Sequence, residues 1–323
     1  MDISELYVIA SCAQTKSLEI PPKLHLRTVR EADPETRAAL WIRQRERLSA
    51  PTRPAEGLYS GTYWASVRHV IRLAAALGYR AHLWVASAGY GLVPAGQNLK
   101  PYSATFARDS EDRVYPRDFP RGRRIPALQA WWRALAAHAR PAGEPRTLTE
   151  LAQRVGKGSL LVIAGPTYVE AMERDLLGCA SALSQSSRLV VVTGDVPGVT
   201  PRLAANLIQS DARFMNLVSG SLPTLHVRLA EYLLDQSRGR PLEVSSLRTC
   251  ADAVLGSQPA WVVPDRERRS DAAVLRSIRG LLRSDPGLSY TAALRRYRSG
   301  GHACEQKRFK RLFSSAAEAR DAS

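Results

Sequence analysis

The sequence predicts an α/β protein with a mostly parallel central sheet that is flanked by helices. Short, almost uninterrupted apolar runs recur along the chain, and such runs are typical of strands that are buried on both faces. They lie at residues 6–10, 83–86, 160–164, 189–192 and 214–218. Because stretches with helical periodicity separate them, the simplest arrangement is a sheet of parallel strands joined by helical crossovers.

The intervening helices are predicted from apolar residues that recur every three or four positions. They are expected at residues 63–77, 127–139, 168–177, 201–209 and 224–236. Gly78 and Gly178 directly follow the first and the third of these segments, and glycine is common just past the last turn of a helix. Two insertions, 21–54 and 108–124, do not fit the pattern, so each is either a lid or a DNA-facing flap, or a plain surface connection.

The chain of 323 residues is long enough for one large domain and a small second one. We expect an α/β catalytic domain over residues 1–240, a linker over 241–270 and a basic helical unit over 271–323. Three helical segments in the last part have the size and rhythm of a helix-turn-helix unit. Between Arg266 and Arg311 there are 13 Lys or Arg residues and 4 acidic residues, a surplus of 9 positive charges.

The net charge of +16 predicts a polyanionic partner, with nucleic acid as the leading candidate, because Lys and Arg near phosphates release condensed counterions. The alternative is an arginine-rich coding bias that leaves a solvated basic surface. No apolar run approaches the roughly 18 residues that span a bilayer, and the first residues lack the basic start of a secretory signal. We therefore expect a cytoplasmic protein that binds DNA and no membrane.

Several classes of chemistry lack their motifs in this sequence. The four cysteines, Cys12, Cys179, Cys250 and Cys304, match no zinc-binding spacing. The phosphate-binding loop of nucleoside triphosphatases and the Gly-x-Gly-x-x-Gly dinucleotide pattern are both missing. Only Asp195 is a carboxylate that closely follows a predicted strand, which disfavours two-metal cleavage of a DNA strand. The sequence predicts no metal and no cofactor.

Polar segments follow several predicted strands and could form one site. They comprise residues 11–16, 87–102, 165–168, 193–195 and 219–221. Because the carboxyl ends of parallel strands lie along one edge of a sheet, these segments should converge on a single crevice.

Three motifs in the first part of the chain carry a resemblance. They are Ser11-Cys-Ala-Gln-Thr-Lys16, Leu58-Tyr-Ser-Gly-Thr-Tyr63, and Ser87-Ala-Gly-Tyr-Gly-Leu92 with a later Lys100-Pro-Tyr102. On these motifs the chain resembles uncharacterised bacterial domains related to the glycosylase-like domain of archaeosine synthases, and more distantly a peroxide-stress protein with a DNA-binding fold. It also resembles the anti-phage DNA glycosylases that remove glucosylated hydroxymethylcytosine from viral DNA. The resemblance covers roughly residues 5–235 and implies a uracil-DNA-glycosylase-like architecture.

A DNA glycosylase needs a group that positions water and further groups that hold the departing base. Asp195 is the candidate that activates water or stabilises the cationic sugar, and Asn98 could orient water or bind the base; alternatively, they cap a helix and serve a turn. Tyrosine rings could stack on an everted base. Lys16 could bind a phosphate or a glucosyl hydroxyl, or attack the sugar as an amine.

The remaining candidates come from the same segments and from the basic tail. Substrate-binding candidates are Ser11, Cys12, Gln14, Lys16, Tyr63, Ser87, Tyr90, Gly91, Lys100, Tyr102, Gly165 and Tyr168. DNA-binding candidates are Arg295, Arg296, Lys307, Arg308, Lys310 and Arg311. Two other functions stay open: a non-catalytic DNA-binding regulatory or accessory protein, and an enzyme that exchanges a base instead of releasing it.

Overall fold

The predicted buried runs form strands in the computed structural model, which describes residues 4–116, 119–138, 143–218, 220–262 and 265–321. The chain divides into two units, Met1–Trp261 and Val262–Ser323. Within the described residues, the strands of the first unit are β1 (Glu5–Ser11), β2 (Arg53–Pro54), β3 (Arg80–Ser87), β4 (Gly91–Pro94), β5 (Asn98–Leu99), β6 (Ser159–Ile163), β7 (Leu189–Thr193) and β8 (Leu207–Gln209). Six of them form one sheet in the order β4-β3-β1-β6-β7-β8, while β2 and β5 form a separate antiparallel pair.

The six-stranded sheet is parallel except at one edge, where β4 runs antiparallel to β3. Every side chain of β6 and β7 is buried, as expected of strands covered on both faces. The antiparallel strand starts at Gly91, whose φ of 75° suits glycine and lets the chain reverse after β3. The prediction of an α/β fold with a mostly parallel sheet flanked by helices is confirmed.

The helices of the first unit are α1 (Pro34–Arg47), α2 (Ala55–Leu58), α3 (Thr62–Ala76), α4 (Arg124–Ala137), α5 (Leu148–Val155), α6 (Pro166–Ala182), α7 (Pro201–Ala204), α8 (Leu225–Ser237) and α9 (Val244–Ser257). Helix α3 packs against α8, and α4 packs against both α1 and α6. Fully buried Trp41, Trp64 and Trp131 contribute to the single large core of this unit. In the described part of the chain, no helix is long and apolar enough to cross a membrane.

The sequence predicts a strand over residues 214–218, but the structure has a short 3₁₀ helix at Ala212–Asn216. Its start is fixed by Asp211, whose carboxylate accepts a hydrogen bond from the backbone N–H of Arg213 at 2.8 Å. This side-chain cap favours a helical turn over an extended strand.

The last strand, β8, lies inside the segment 201–209 for which the sequence predicts a helix. Helix α7 ends after one turn, and Asn206 follows it. The Asn206 side-chain amide donates to the carbonyl oxygens of Ser186 and Leu189 at 2.7 and 2.9 Å. These bonds hold the chain beside β7, where it continues as a strand.

The sequence predicts that the helix over residues 168–177 ends at Gly178. In the structure, helix α6 continues through Gly178 to Ala182. A Cβ atom at Gly178 would lie 2.3 Å from Oγ1 of Thr149 in α5. The glycine is therefore required for the close approach of two helices and does not terminate one.

The segment 241–270, predicted to be a linker, contains helix α9. Its buried side chains Val244, Leu247 and Ala251 belong to the core of the first unit. Arg248 of this helix donates to the carbonyl oxygens of Ala205 and Leu207, at 2.7 and 2.9 Å. The α/β unit thus extends past the predicted boundary at residue 240.

The second unit contains α10 (Asp271–Ser284), α11 (Tyr290–Ser299) and α12 (Gln306–Asp321), with a short parallel pair formed by β9 (Glu267–Arg268) and β10 (His302–Ala303). Serine hydroxyls cap the first two helices, at Ser270 and Ser289. The unit has its own apolar core, in which Val274, Ile278 and Phe309 are fully buried.

Candidate functional site

The carboxyl ends of β1, β3, β6 and β7 lie along one edge of the sheet, because these strands are parallel. Ligands of open α/β sheets bind at this edge. Polar side chains from the ends of β1 and β3, from helices α3 and α6 and from neighbouring loops meet there. We call them the strand-end cluster: Ser11, Cys12, Lys16, Tyr59, Tyr63, Ser87, Tyr102 and Tyr168.

Lys16 is held in a fixed position at the end of β1. Its Nζ atom donates to the carbonyl oxygens of Ala13 and Gln14, at 2.9 and 3.2 Å, and lies 4.3 Å from the centre of the Tyr102 ring. The backbone beside it pairs with the segment around Tyr59. Burial lowers the pKa of the Lys16 ammonium group, and the ring faces stabilise its charged form.

Three hydroxyl groups form the buried part of the cluster. The Tyr102 hydroxyl shares hydrogen bonds with Oγ of Ser87 at 2.6 Å and with the Tyr59 hydroxyl at 3.1 Å. Both tyrosines are fully buried, and burial raises the pKa of each well above its usual range. These phenols are therefore neutral and act as hydrogen-bonding scaffold rather than as bases.

The half-buried part of the cluster connects β1 to β6 and α6. Tyr63 donates its hydroxyl to the carbonyl oxygen of Ile163 at 3.0 Å and accepts a hydrogen bond from Ser11 at 2.9 Å. The Cys12 thiol and the Tyr168 hydroxyl are 3.0 Å apart. Tyr168 lies in the first turn of α6, whose N-cap is Gly165. A ligand at this edge would meet a thiol, two phenols and a helix N-terminus, whose dipole favours anions.

The glycine-rich segment after β3 serves packing. A Cβ atom at Gly89 would lie 2.4 Å from Cε2 of Tyr102, so this glycine makes room for the ring. The Gly89 carbonyl accepts hydrogen bonds from Trp41 Nε1 at 2.9 Å and from Arg45 at 2.5 Å. The sequence suggests that these glycines admit a ligand to the backbone, whereas the structure fills that space with side chains.

Two substrate-binding candidates of the same segment have internal partners. The Tyr90 hydroxyl accepts the backbone N–H of Lys100 at 3.0 Å, and the Arg45 guanidinium lies 3.9 Å from the Tyr90 ring centre. Lys100 Nζ donates to the carbonyl oxygens of Arg45 and Glu46, at 2.9 and 3.1 Å. Lys100 therefore caps the last turn of α1, and together with Gly91 these residues belong to the scaffold around the cluster.

Two polar candidates are exposed at the same edge. The Gln14 side chain follows β1, and Asp195 follows β7. Asp195 is next to Gly194, where a Cβ atom would lie 3.1 Å from Pro166 Cγ in the first turn of α6. Neither side chain makes a hydrogen bond within the described residues, so both are available to a ligand.

The structure does not bring Asn98 into the strand-end cluster. Asn98 lies on β5, paired with Pro54 of β2, and its exposed side chain makes no hydrogen bond within the described part of the chain. Of the other polar segments expected at the edge, the one at 219–221 begins with Ser219, which lies outside the described residues.

A buried carboxylate that was not anticipated from the sequence lies near the cluster. Asp112 is 4% exposed and accepts hydrogen bonds from His25 Nδ1 and from the backbone N–H of Arg27, each at 3.0 Å. Burial alone would raise the pKa of Asp112, but the bonds from Ser103, Arg27 and His25 outweigh it, and the pKa lies below its usual range. The Asp112 charge in turn offsets part of the lowering that burial causes in the pKa of Lys16. Asp112 lies in a charged insertion, where no sequence motif distinguishes it from the neighbouring acidic residues.

The DNA-binding candidates lie on two helices of the second unit. Lys307 and Lys310 are exposed on α12, while Phe309 faces the core. Arg308 and Arg311 both pair with Asp271, at 2.6 and 3.1 Å. On α11, Arg295 is exposed and Arg296 pairs with Asp285 at 3.2 Å.

An open groove of about 810 Å³ in the second unit was also not anticipated from the sequence. Its wall includes Arg266, Arg268, Arg298 and Arg308, with Asp265 and Glu305 as the acidic members. The unit therefore presents positive charge in a concave surface as well as along α12.

Comparisons with known proteins identify no relative of this chain. Neither family models, nor curated proteins, nor solved structures match this chain. Among the described residues, no group of three or more His, Cys, Asp or Glu side chains is arranged to hold a metal ion. The function must therefore be inferred from the geometry of the strand ends and from the charge of the second unit.

Proposed function

We propose that this protein is a DNA glycosylase that hydrolyses the N-glycosidic bond of a modified base in the cytoplasm. The substrate that the resemblance implies is glucosylated 5-hydroxymethylcytosine in phage double-stranded DNA, and the product is an abasic site that serves antiviral defence. The proposed fold of the first unit is uracil-DNA-glycosylase-like. The strand-end cluster beside the exposed carboxylate of Asp195 is the observation that supports this proposal most.

In the proposed reaction the bond between C1′ and the base nitrogen breaks, and its electron pair leaves with the base. Water adds to C1′, and a water proton neutralises the departing base. Asp195 positions this water or stabilises the positive charge on the sugar. Its side chain is exposed next to the first turn of α6 and makes no hydrogen bond within the described residues, so its carboxylate is free to bind water.

The geometry of Lys16 favours hydrolysis by water over attack by an amine. Burial lowers the pKa of Lys16, but Nζ donates to two carbonyl oxygens and lies against the Tyr102 ring, and these contacts oppose the loss of its charge. A nucleophilic amine must first lose its charge, and with it the attraction between the ammonium group and the Tyr102 ring. We therefore assign Lys16 to binding a phosphate or sugar oxygen, in a monofunctional glycosylase.

The basic second unit supplies the proposed grip on DNA. Lys307 and Lys310 are exposed on one helix, and neither forms an ion pair within the described residues. Cations of this kind bind backbone phosphates without reading sequence. Base selection would then be left to the strand-end cluster, where Tyr63 and Tyr168 are half-buried and can contact an everted base.

The test incubates the full chain with DNA that contains glucosylated 5-hydroxymethylcytosine and with unmodified DNA. Mass spectrometry identifies the released base, and alkali reveals abasic sites. We expect free modified base from the first DNA only, and no borohydride-trapped complex with Lys16. Release without hydrolysis, through incorporation of an added base, would indicate the base-exchange alternative. Binding without any release would indicate a non-catalytic protein.

The variant Asp195→Asn should lower the rate of base release by about a hundredfold while DNA binding is retained. Asp252→Asn, at an exposed acid on α9, is the matched control and should behave like the wild type. Asn98→Ala should also retain activity, since Asn98 lies outside the cluster. Full activity of Asp195→Asn would remove the catalytic assignment.

A further inference from the structure

A pocket of about 520 Å³ opens between the two insertions of the first unit. We call it the insertion pocket. The charged side chains of its wall are Arg27, Arg30, Arg37, Arg113, Glu31 and Glu111. Four arginines against two glutamates give the wall an excess of positive charge.

Arg37 is buried in this wall without a counter-charge in contact. It is 5% exposed, and within the described residues its Nε atom has no hydrogen-bond partner and its one hydrogen bond goes to the carbonyl oxygen of Leu26 at 3.4 Å. No carboxylate forms an ion pair with it among the described residues. A buried guanidinium is costly unless an anion pairs with it.

The acidic groups in and beside the wall are already engaged. Glu111 and Asp112 pair with Arg27, at 3.5 and 3.4 Å. Glu31 accepts two backbone N–H groups of the turn that follows it, at 2.6 and 3.0 Å. Within the described residues, the other three arginines therefore have no carboxylate partner.

Positive charge accumulates on Arg30, Arg37 and Arg113. Arg113 donates only to a carbonyl oxygen, and Arg30 is exposed and forms no ion pair within the described residues. Burial and then the charge of Arg113 lower the pKa of Arg37, although the charges of Asp112 and Glu31 partly offset this. An anion bound between the Arg37 and Arg113 side chains would relieve both effects.

We propose that the insertion pocket is a phosphate-binding site, in which Arg30, Arg37 and Arg113 hold the phosphate oxygens. Guanidinium groups match tetrahedral oxyanions with paired N–H donors. The phosphate could belong to a DNA backbone or to a free nucleotide, and the two sources share this chemistry. The site is independent of glycosylase activity, because it contains none of the proposed catalytic residues.

The first experiment measures thermal unfolding of the full chain by tryptophan fluorescence, with and without inorganic phosphate at constant ionic strength. All six tryptophans precede residue 262, so the signal reports on the first unit. We expect phosphate to raise the Tm of the wild type by a few degrees in a saturable manner. The variant Arg37→Met should lose this rise while keeping its Tm in phosphate-free buffer. Because phosphate also stabilises proteins in general as an excluded salt, the Tm rise of Arg37→Met measures that general effect, which is subtracted from the rise of the wild type.

A structural role of Arg37 predicts the opposite pattern. If Arg37→Met lowers the Tm equally with and without phosphate, the proposal is overturned. Since the buried position could impair folding, the double variant Arg30→Gln/Arg113→Gln serves as a second probe at less buried positions. It should also lose the response to phosphate, and Arg72→Gln, at an exposed arginine on α3, should keep it.

The source of the phosphate is resolved by two further probes, dCMP and a single-stranded 12-nucleotide DNA. A DNA-backbone site predicts that the double variant weakens binding of the 12-nucleotide DNA about tenfold, while dCMP binds no better than inorganic phosphate. A nucleotide site predicts tight binding of dCMP that the double variant loses. Equal binding of every probe by the wild type, the double variant and Arg72→Gln would refute the site.

Discussion

Acid should destabilise the first unit through one buried histidine, His226 of α8. The side chain is 7% exposed, its Nε2 atom has no partner within the described residues, and its ring lies 5.5 Å from that of Tyr63. Burial, and then the nearby Arg228, lower the pKa of His226 to about 4. The imidazole is therefore neutral in the folded protein, beneath the strand-end cluster.

The sign and size of the effect follow from linkage. The unfolded chain binds a proton at this residue near its ordinary pKa of 6.5, but the folded chain binds it only near 4. Stability is thus fully present above pH 6.5 and falls as the pH drops from 6.5 to 4. At about 1.4 kcal/mol per pH unit, the total loss is about 3 kcal/mol.

The assay is urea unfolding followed by tryptophan fluorescence, at several pH values between 4 and 7. Buried carboxylates such as Asp112 also lose stability in acid, so the wild type is compared with His226→Phe, which keeps an aromatic ring beside Tyr63. We expect the free energy of unfolding of the wild type, relative to the variant, to fall by about 3 kcal/mol between pH 7 and pH 4. Parallel pH profiles for the two proteins would refute the reasoning.

Two packing predictions concern the scaffold around the site, and both are read from urea unfolding at neutral pH. Gly89→Ala should cost about 1–3 kcal/mol, because the new Cβ atom would overlap the buried Tyr102 ring, whereas Gly96→Ala has open space and should cost little. A stable Gly89→Ala protein would show that the ring can move. Glu170→Gln should cost about 3 kcal/mol, since it removes the charge that pairs with the largely buried Arg124 and replaces one of the two acceptor oxygens, at 2.6 and 2.7 Å, by an amide nitrogen. The exposed pair of Arg133 and Glu35 provides the control, and equal losses from Glu35→Gln and Glu170→Gln would contradict the argument.

The sequence predicted the elements whose signal is local. Continuous apolar runs identified β1, β3, β6 and β7 to within a few residues, because strands buried on both faces contain little else. The runs at residues 207–208 and 214–218 are both short and apolar, and the tertiary hydrogen bonds of Asn206, together with the local cap by Asp211, decide which becomes the strand. Periodicity alone cannot supply that information.

The site was predictable in its location but not in its detail. Parallel topology brings strand ends to one edge, so Ser11, Cys12, Lys16 and Tyr168 could be grouped in advance. The roles of Lys100 and Gly89 depend on α1, a helix inside an insertion to which the sequence pattern assigned no element. Long-range partners of this kind leave no spacing signal in one sequence.

The contact of Arg248 with β8 has a practical consequence for dividing the chain. The edge strand of a sheet has unpaired backbone groups that can bind other molecules. Here the Arg248 side chain of α9 donates hydrogen bonds to two carbonyl oxygens at and just before the edge strand β8. A truncation at residue 240 would remove α9 and with it the Arg248 hydrogen bonds, and the exposed edge strand could then pair with strands of other molecules. Cutting after Trp261 keeps these hydrogen bonds in place, and that is the boundary at which each half should be expressed alone.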